Sequence, residues 1–460
     1  MKRPALWILA LWIFGFPLVL SGADIRVDPE YGDDRNDGIS SPVQSISRGI
    51  HLARPGDTVH LKEGVYSESA VFSKRHGTRD QPIILDGHGA TLDGSEKVTS
   101  DEWESIGEGL FRRVRLYPKT NDAIVGRWFL LWDGRMQRMG RCLKGPSQPL
   151  KEAGQLQPGE WTYVGDEDAF YLKLAPGEDL DAANIRYPKR SSAVIFSREG
   201  SWITIRNLTG RHVYNDGFNV HGAQRNLRFD KIRAIQCGDD GFSAHEDAEC
   251  EIDGFVSIGN GTGLCDTGTS RTHYTNLYIR DCVGFDLYFI GREHSIQNAV
   301  IESSAAKSFW LDGDHLEDGG QCRLEMRNFL IRRTGDQPQE LRIGRGGFLH
   351  AMNCTFEGLN VTLTPSGGAD FRRCAFLSGT FHPEIMLYRN TIWNGQGNLY
   401  DIHSLRVVHT SYSPTEFSEF QKFTSSEAGS AWQKPGKDLG DVGVDPVSIE
   451  NFLLGIDSSL

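Results

Sequence analysis

The sequence predicts an all-β chain, a right-handed parallel β-helix solenoid with a small β-rich insertion. Three observations point there. The first is a short segment that recurs through the middle of the chain: Arg206-Asn207-Leu208, Asp230-Lys231-Ile232, Asp253-Gly254-Phe255, Thr275-Asn276-Leu277, Gln297-Asn298-Ala299, Arg327-Asn328-Phe329 and Met352-Asn353-Cys354. Its centres lie 24, 23, 22, 22, 30 and 25 residues apart, a period that marks stacked repeats. The second is composition within each repeat, where short β-branched runs alternate with Gly, Asn and Asp, the pattern of strands and turns rather than helices. The third is a column in step with the first: Gly217-Phe218, Gly241-Phe242, Gly263-Leu264, Gly284-Phe285 and Ser308-Phe309. Alternation along each strand sends Phe218, Phe242, Leu264, Phe285 and Phe309 inward and leaves the residues between them on an exposed ribbon. The recurring Asn side chains are expected to form an internal ladder, each amide bonding the next coil about 4.8 Å away.

The elements follow in order. Residues 1–23 read as a cleaved export signal: Lys2 and Arg3, an apolar run from Ala5 to Leu20, then small residues Ser21, Gly22 and Ala23. An uncleaved anchor is the rival reading, since the run is close to spanning length. Residues 24–100 carry the first coils. Residues 101–195 break the period, and Trp103, Trp128, Trp132, Trp161, Tyr163 and Tyr171 between Gly and Pro turns indicate a β-rich insertion. The main coils occupy 196–397. Residues 398–460 form a polar tail expected to cap the last coil, because an open strand edge invites aggregation.

Composition limits the function. The chain of 460 residues carries a formal charge of −12, which disfavours general binding to nucleic acid or anionic membranes. Export leads to a secreted, periplasmic or cell-surface location, no stable membrane association once the signal is removed, and a monomer whose partner is a polysaccharide. The eight Cys residues lie scattered without a CxxC pair, so no zinc site is expected and most should pack as small hydrophobes.

Chemistry concentrates on the ribbon. Asp216 and Asp240 are 24 residues apart, one coil, which places their backbones about 4.8 Å from each other. Two carboxylates that close raise at least one pKa, which makes an acid available beside a base, as glycoside hydrolysis requires. Asp239 adds a third. Asp at coil corners can instead simply cap turns. His221 and His245 fall in one column with Glu246 adjacent and Tyr288 further along. His245 could serve as a base next to a uronate carboxylate with Tyr288 as acid, or the column could be a product of repeat duplication. Arg292, Lys307 and Trp310 complete the substrate-binding candidates, Trp310, Tyr288 and the insertion's aromatics as platforms for sugar faces. No cofactor is expected apart from Ca²⁺, which the acidic run Asp312-Gly313-Asp314-His315-Leu316-Glu317-Asp318 could hold, although that run can equally be a solvated loop.

These residues resemble the pectin-lyase-like superfamily of parallel β-helices. The opening, with Pro55-Gly56-Asp57-Thr58, Glu63-Gly64-Val65-Tyr66 and Gly77-Thr78-Arg79-Asp80-Gln81-Pro82-Ile83, resembles alginate lyases and chondroitinase B. The run Gly159-Glu160-Trp161 to Phe170-Tyr171-Leu172 is similar to insertions in β-helix glycoside hydrolases. The chain also resembles polygalacturonase-type glycosidases, in Asn215-Asp216-Gly217, Gly238-Asp239-Asp240 and Gly261-Thr262-Gly263 on successive coils. The resemblance implies Asp239 as general acid, with Asp216 and Asp240 preparing the water. The family's His position is Thr262, and its Arg-x-Lys signature has only Arg292 and Lys307 as loose counterparts. Asp240-Gly241-Phe242-Ser243-Ala244-His245-Glu246 resembles the catalytic coil of alginate C5-epimerases, keeping its His and Glu and lacking its Tyr and Asp. Three functions stay open: a hydrolase, a lyase or epimerase on a uronate polymer, and a non-catalytic carbohydrate-binding solenoid.

Overall fold

The repeated strands stack in parallel, coil upon coil. The structure is a computed structural model, and it describes residues 22–316, 319–336, 339–435 and 442–444; all but the last two residues of the expected signal lie outside these. It is nearly all β, a solenoid of about 14 turns. Two long sheets run its length, one of 17 strands and one of 13. A typical coil contributes a short strand such as Asp240–Ala244 to the second sheet and a long strand such as Glu249–Ile258 to the first. Register is continuous: Ile205 pairs with Phe229, Phe229 with Ile252, Ile252 with Tyr274 and Tyr274 with Ile296. One apolar column therefore fills the interior from Ile25 to Phe420.

Each long strand of the first sheet is bent at one residue in the left-handed region. Asn207, Lys231, Gly254, Asn276, Asn298, Asn328 and Asn353 all have φ between 52° and 77°. Asn is the side chain after Gly that tolerates this conformation best, which explains its recurrence. The Asn ladder is correspondingly not internal. The amides sit on the outside of the bend, where Asn328 Nδ2 donates to Asn298 Oδ1 at 2.9 Å and Asn276 Nδ2 to Asp253 Oδ1 at 2.7 Å. The fully buried asparagines are others: Asn260 ties Cys237 N to Ala234 O, and Asn398 ties Cys374 N to Phe371 O.

The inward column of the second sheet runs Phe218, Phe242, Leu264, Leu287, Phe309 and Leu341. Leu287, not Phe285, takes the inward place on its coil. Gly284 aligns with the corner residue Gly261, so the strand starts two residues later than the Gly-Phe echo indicates; Phe285 pairs with Thr262. Phe285 is thereby left outside the interior column at the corner, its ring packed against Tyr288 and Trp310.

The ends are covered. The helix Ile46–Leu52 lies over the first coils, started by Ser45 Oγ accepting Arg48 N. A Cβ at its Gly49 would lie 2.8 Å from Val27 Cγ2. At the other end the helix Phe417–Thr424 buries Phe417 and Phe420, and Ala431–Trp432 adds a strand to Leu399–Asp401. All eight Cys residues are free and buried.

Between Asp93 and Val194 the chain leaves the solenoid and builds two four-stranded antiparallel sheets. Trp103, Trp128 and Trp161 are at most 1 % exposed, with Trp128 and Trp161 edge to face at 4.5 Å. These tryptophans are the insertion's own core and offer no sugar platform.

Candidate active site

The insertion lies against the corner that precedes the second sheet. Arg138 is buried there and donates to Gly238 O at 2.7 Å and Cys237 O at 2.6 Å. The corner glycine is required by this approach: a Cβ on Gly238 would lie 2.2 Å from Tyr214 O and 2.4 Å from Arg127 O. From the insertion, two cations reach the carboxylates of the next residues. Lys144 Nζ lies 2.6 Å from Asp239 Oδ1 and 2.7 Å from Asp240 Oδ1, and Arg127 Nε lies 2.9 Å from Asp239 Oδ2.

Asp216, Asp239 and Asp240 are gathered by the coil stacking and are at most 2 % exposed. Asp216 Oδ1 accepts Asp240 N at 3.1 Å, and its Oδ2 accepts Asn215 Nδ2 and Ser243 Oγ, each at 3.0 Å. Their environments separate the three acids. Burial alone would raise Asp239, but the Lys144 ammonium and the Arg127 guanidinium outweigh it and hold that carboxyl below the usual range. Burial, reinforced by the Asp239 charge, pushes Asp216 up to about 6 and Asp240 well above its ordinary value. The proton of this cluster therefore resides on Asp240 or Asp216. Asp239, which the family resemblance makes the general acid, is the member that stays ionised.

A hydrogen-bonded line leads outward. Ser243 Oγ, bonded to Asp216, also lies 3.0 Å from His245 Nε2, and His245 Nδ1 lies 2.8 Å from Thr267 Oγ1. Oxygen or nitrogen atoms of Asp216, Asp240 and His245 all fall within 4.8 Å of one another. Burial, then the neighbouring His221, push His245 down to about 4, so the imidazole is neutral above that pH. His221 stacks on it with centroids 4.2 Å apart, and His221 Nδ1 meets the Glu246 carboxylate at 3.0 Å.

The remaining candidates lie elsewhere on the solenoid. Tyr288 does not continue the histidine column, which runs His221, His245, Thr267, Ile290 and Asp312. The two-residue slip at Gly284 puts Tyr288 in the adjacent column with Asn219, Ser243, Cys265, Trp310 and Arg342. Trp310 is half-buried, with the Arg342 guanidinium 4.9 Å from its ring. Lys307 is exposed at the corner, its ammonium 5.5 Å over Phe285. Arg292 is apart from all of these, in the turn before the strand Glu293–Ser303, lining a surface cavity with Glu293, Gln321 and Arg323. Asp312 Oδ1 accepts Asp314 N, while Glu317 and Asp318 of the proposed calcium run lie outside the described residues. Sequence reading misses Arg127, Lys144 and Ser243; nothing in the local pattern ties Lys144 to an acid 95 residues away.

No known protein-family profile matches the chain. Over 93 residues it is 34 % identical to the pectate lyase PEL9 of Emericella nidulans, a match spanning 19 % of this chain and 22 % of that enzyme. Among solved structures it resembles XylC in complex with xylose, with a TM-score of 0.55 and 11 % identity over 85 % of this chain and 86 % of that one. The pectate lyase Pel9A aligns with a TM-score of 0.39 and 12 % identity over 81 % of this chain and 78 % of that one. With its coils, register and core in place, the chain is a right-handed parallel β-helix, the fold its structural neighbours share.

Proposed function

We propose that the chain is a polysaccharide-active enzyme, a glycoside hydrolase working by carboxylate acid/base catalysis at Asp216, Asp239 and Asp240. One observation carries this reading: three buried carboxylates share a corner, and their surroundings drive one of them below and two above the ordinary carboxylate range. Pairs separated in this way supply an acid and a base at the same pH. In this scheme Asp240 gives its proton to the glycosidic oxygen and Asp216 takes a proton from the attacking water. Asp239 keeps Lys144 and Arg127 in place. Ser243 and His245 link Asp216 to the half-open histidine column, where the polymer lies. The substrate is a polysaccharide met by a single exported chain. Among the described residues, no helix is long and apolar enough to cross a membrane.

Likeness to a pectate lyase favours a second reading, β-elimination on a uronate polymer with neutral His245 as base. The two are separated by product. Pectin, alginate, glycosaminoglycans and xylan are incubated with the full chain and assayed for reducing ends and for ultraviolet-absorbing unsaturated ends. Hydrolysis predicts reducing ends alone, lost in Asp216→Asn and Asp240→Asn. Unsaturated product assigns the lyase instead. Retention on a polymer with no product leaves a binding solenoid. Full turnover in all three Asp→Asn variants removes the carboxylate mechanism.

A further inference from the structure

Far from this corner, on the outer face of the first sheet, two imidazoles and two carboxylates meet where the solenoid begins. His60 sits on the strand Thr58–Leu61 and pairs with Asp86 of the next coil's strand, Ile83–Asp86, while Asp24 belongs to the coil before. His60 Nδ1 and His88 Nε2 are 2.8 Å apart. The ring planes are inclined by 23° with centroids 5.2 Å apart, so the two nitrogens meet edge to edge. Asp86 Oδ2 is 3.8 Å from His88 Nε2, and on the far side His60 Nε2 meets Asp24 Oδ1 at 3.0 Å.

We propose that His60, His88 and Asp86 form a binding site for one divalent transition ion of the zinc type, oriented by Asp24. The chemistry of each contact fits. A carboxylate on one imidazole nitrogen holds the proton there and leaves the other nitrogen's lone pair free for a metal. Asp24 does this for His60, so Nδ1 faces His88 as an acceptor. Without metal, His88 Nε2–H donates to that lone pair; with metal bound, the neutral His88 ring carries its one proton on Nδ1 and offers the Nε2 lone pair instead. Zinc–nitrogen bonds of about 2.0–2.1 Å in tetrahedral geometry set the two nitrogens about 3.3 Å apart. The half-exposed His88 ring has only to open by about half an ångström to meet that geometry. Asp86 supplies the third ligand. Its side chain is 4 % exposed and accepts His88 N at 3.1 Å, Asn207 Nδ2 at 3.0 Å and Arg206 Nε at 2.7 Å. A carboxylate has about four lone-pair positions, so one remains on the edge facing the imidazoles. Two nitrogen donors select against calcium and magnesium, which take oxygen. The ion bridges consecutive coils at the end of the solenoid, where fewer neighbours hold the strands, and so staples the first turns.

Isothermal titration of the full chain with zinc chloride, and with calcium chloride beside it, tests the proposal. The expected result is one saturable zinc ion per chain and no calcium heat at this site. His60→Gln and His88→Asn abolish the step, the latter chosen because Asn tolerates the left-handed backbone of residue 88 (φ 48°). Asp24→Asn weakens it about 10- to 100-fold. Circular dichroism verifies that each variant is folded. In the wild type, zinc shifts the nuclear magnetic resonance signals of His60 and His88 before those of the other histidines, a readout that needs no substitution. Absence of saturable zinc binding overturns the proposal, as does binding that survives both histidine variants or disappears in His245→Gln.

Discussion

Asp216 is the residue whose replacement best tests the electrostatics of the corner. Its carboxyl is raised from 3.8 to about 6 by burial and by the Asp239 charge. At about 1.4 kcal/mol per pKa unit, keeping it ionised at neutral pH costs folding on the order of 3 kcal/mol. The sign follows from proton uptake. Between pH 3.8 and about 6 the folded chain holds a proton that the unfolded chain has lost, so this group's contribution is fully present at low pH and is lost as pH rises through 6. Asp216→Asn removes the charge and keeps the shape. The amide oxygen still accepts Asp240 N and Ser243 Oγ can turn to accept from the amide nitrogen, whereas the bond from Asn215 Nδ2 loses its acceptor, at about 1 kcal/mol. The variant should therefore be more stable than the wild type by about 2 kcal/mol at pH 7, with the advantage gone below pH 4. Urea midpoints of both proteins at pH 7 and pH 4 measure it. Reducing-end release should fall at the same time, since an amide can neither hold nor take the proton. A variant destabilised at pH 7, or a difference that does not change with pH, refutes the account of the corner.

Lys144→Met strips Asp239 and Asp240 of their shared partner. Breaking a buried pair in this way should cost about 3 kcal/mol, read as a lower urea midpoint at pH 7, and the loss should shrink in acid as the carboxyls protonate. His245 is lowered from 6.5 to about 4, so the unfolded chain takes up a proton before the folded one, and this group's contribution to stability declines as pH falls from 6.5 toward 4. His245→Gln should flatten the stability profile in that window by on the order of 2 kcal/mol, allowing for the partial exposure of the ring. Glu427, fully buried under the last coil, accepts Trp393 Nε1, Tyr400 Oη, Asn398 Nδ2 and Ser430 Oγ. Glu427→Leu orphans these donors, at about 3 kcal/mol or more, and should speed amide exchange first in Leu399–Asp401 and Ala431–Trp432.

The legible and the hidden parts of this molecule divide along a physical line. Stacking repeats one local solution every 22 to 25 residues, with one longer step of 30, so the sequence displays the coil as a period. Even so, a residue type that meets two different needs misleads. Asn recurs because the bend demands a positive φ, and that need is met on the outside of the coil as well as an interior ladder would be. Glycine is used both at the corner, where Gly238 makes room for the Arg127 carbonyl, and in the strand, where a Cβ on Gly241 would meet Gly263 O at 2.8 Å. Gly284 is a corner glycine, and taking it for a strand glycine displaces Phe285 and Tyr288 by two places. Beyond the corner a shift of two places keeps Leu287 and Phe289 inside, while Phe285 itself ends outside against Tyr288 and Trp310.

The carboxylates at Asp216 and Asp240 were readable for the same reason as the fold, since a separation of one coil is a contact in a solenoid. Their protonation was not, because it is decided by groups that no period connects to them. Lys144 and Arg127 arrive from the insertion, and they lower Asp239, the acid they touch with two cations, while Asp216 and Asp240 rise beside it. The family resemblance transfers the coil corner but not the insertion that covers it, and it is the insertion's Lys144 and Arg127 that hold Asp239, which the resemblance makes the general acid, below the ordinary carboxylate range. In this solenoid, position is inherited from the repeat, and acidity from whatever breaks it.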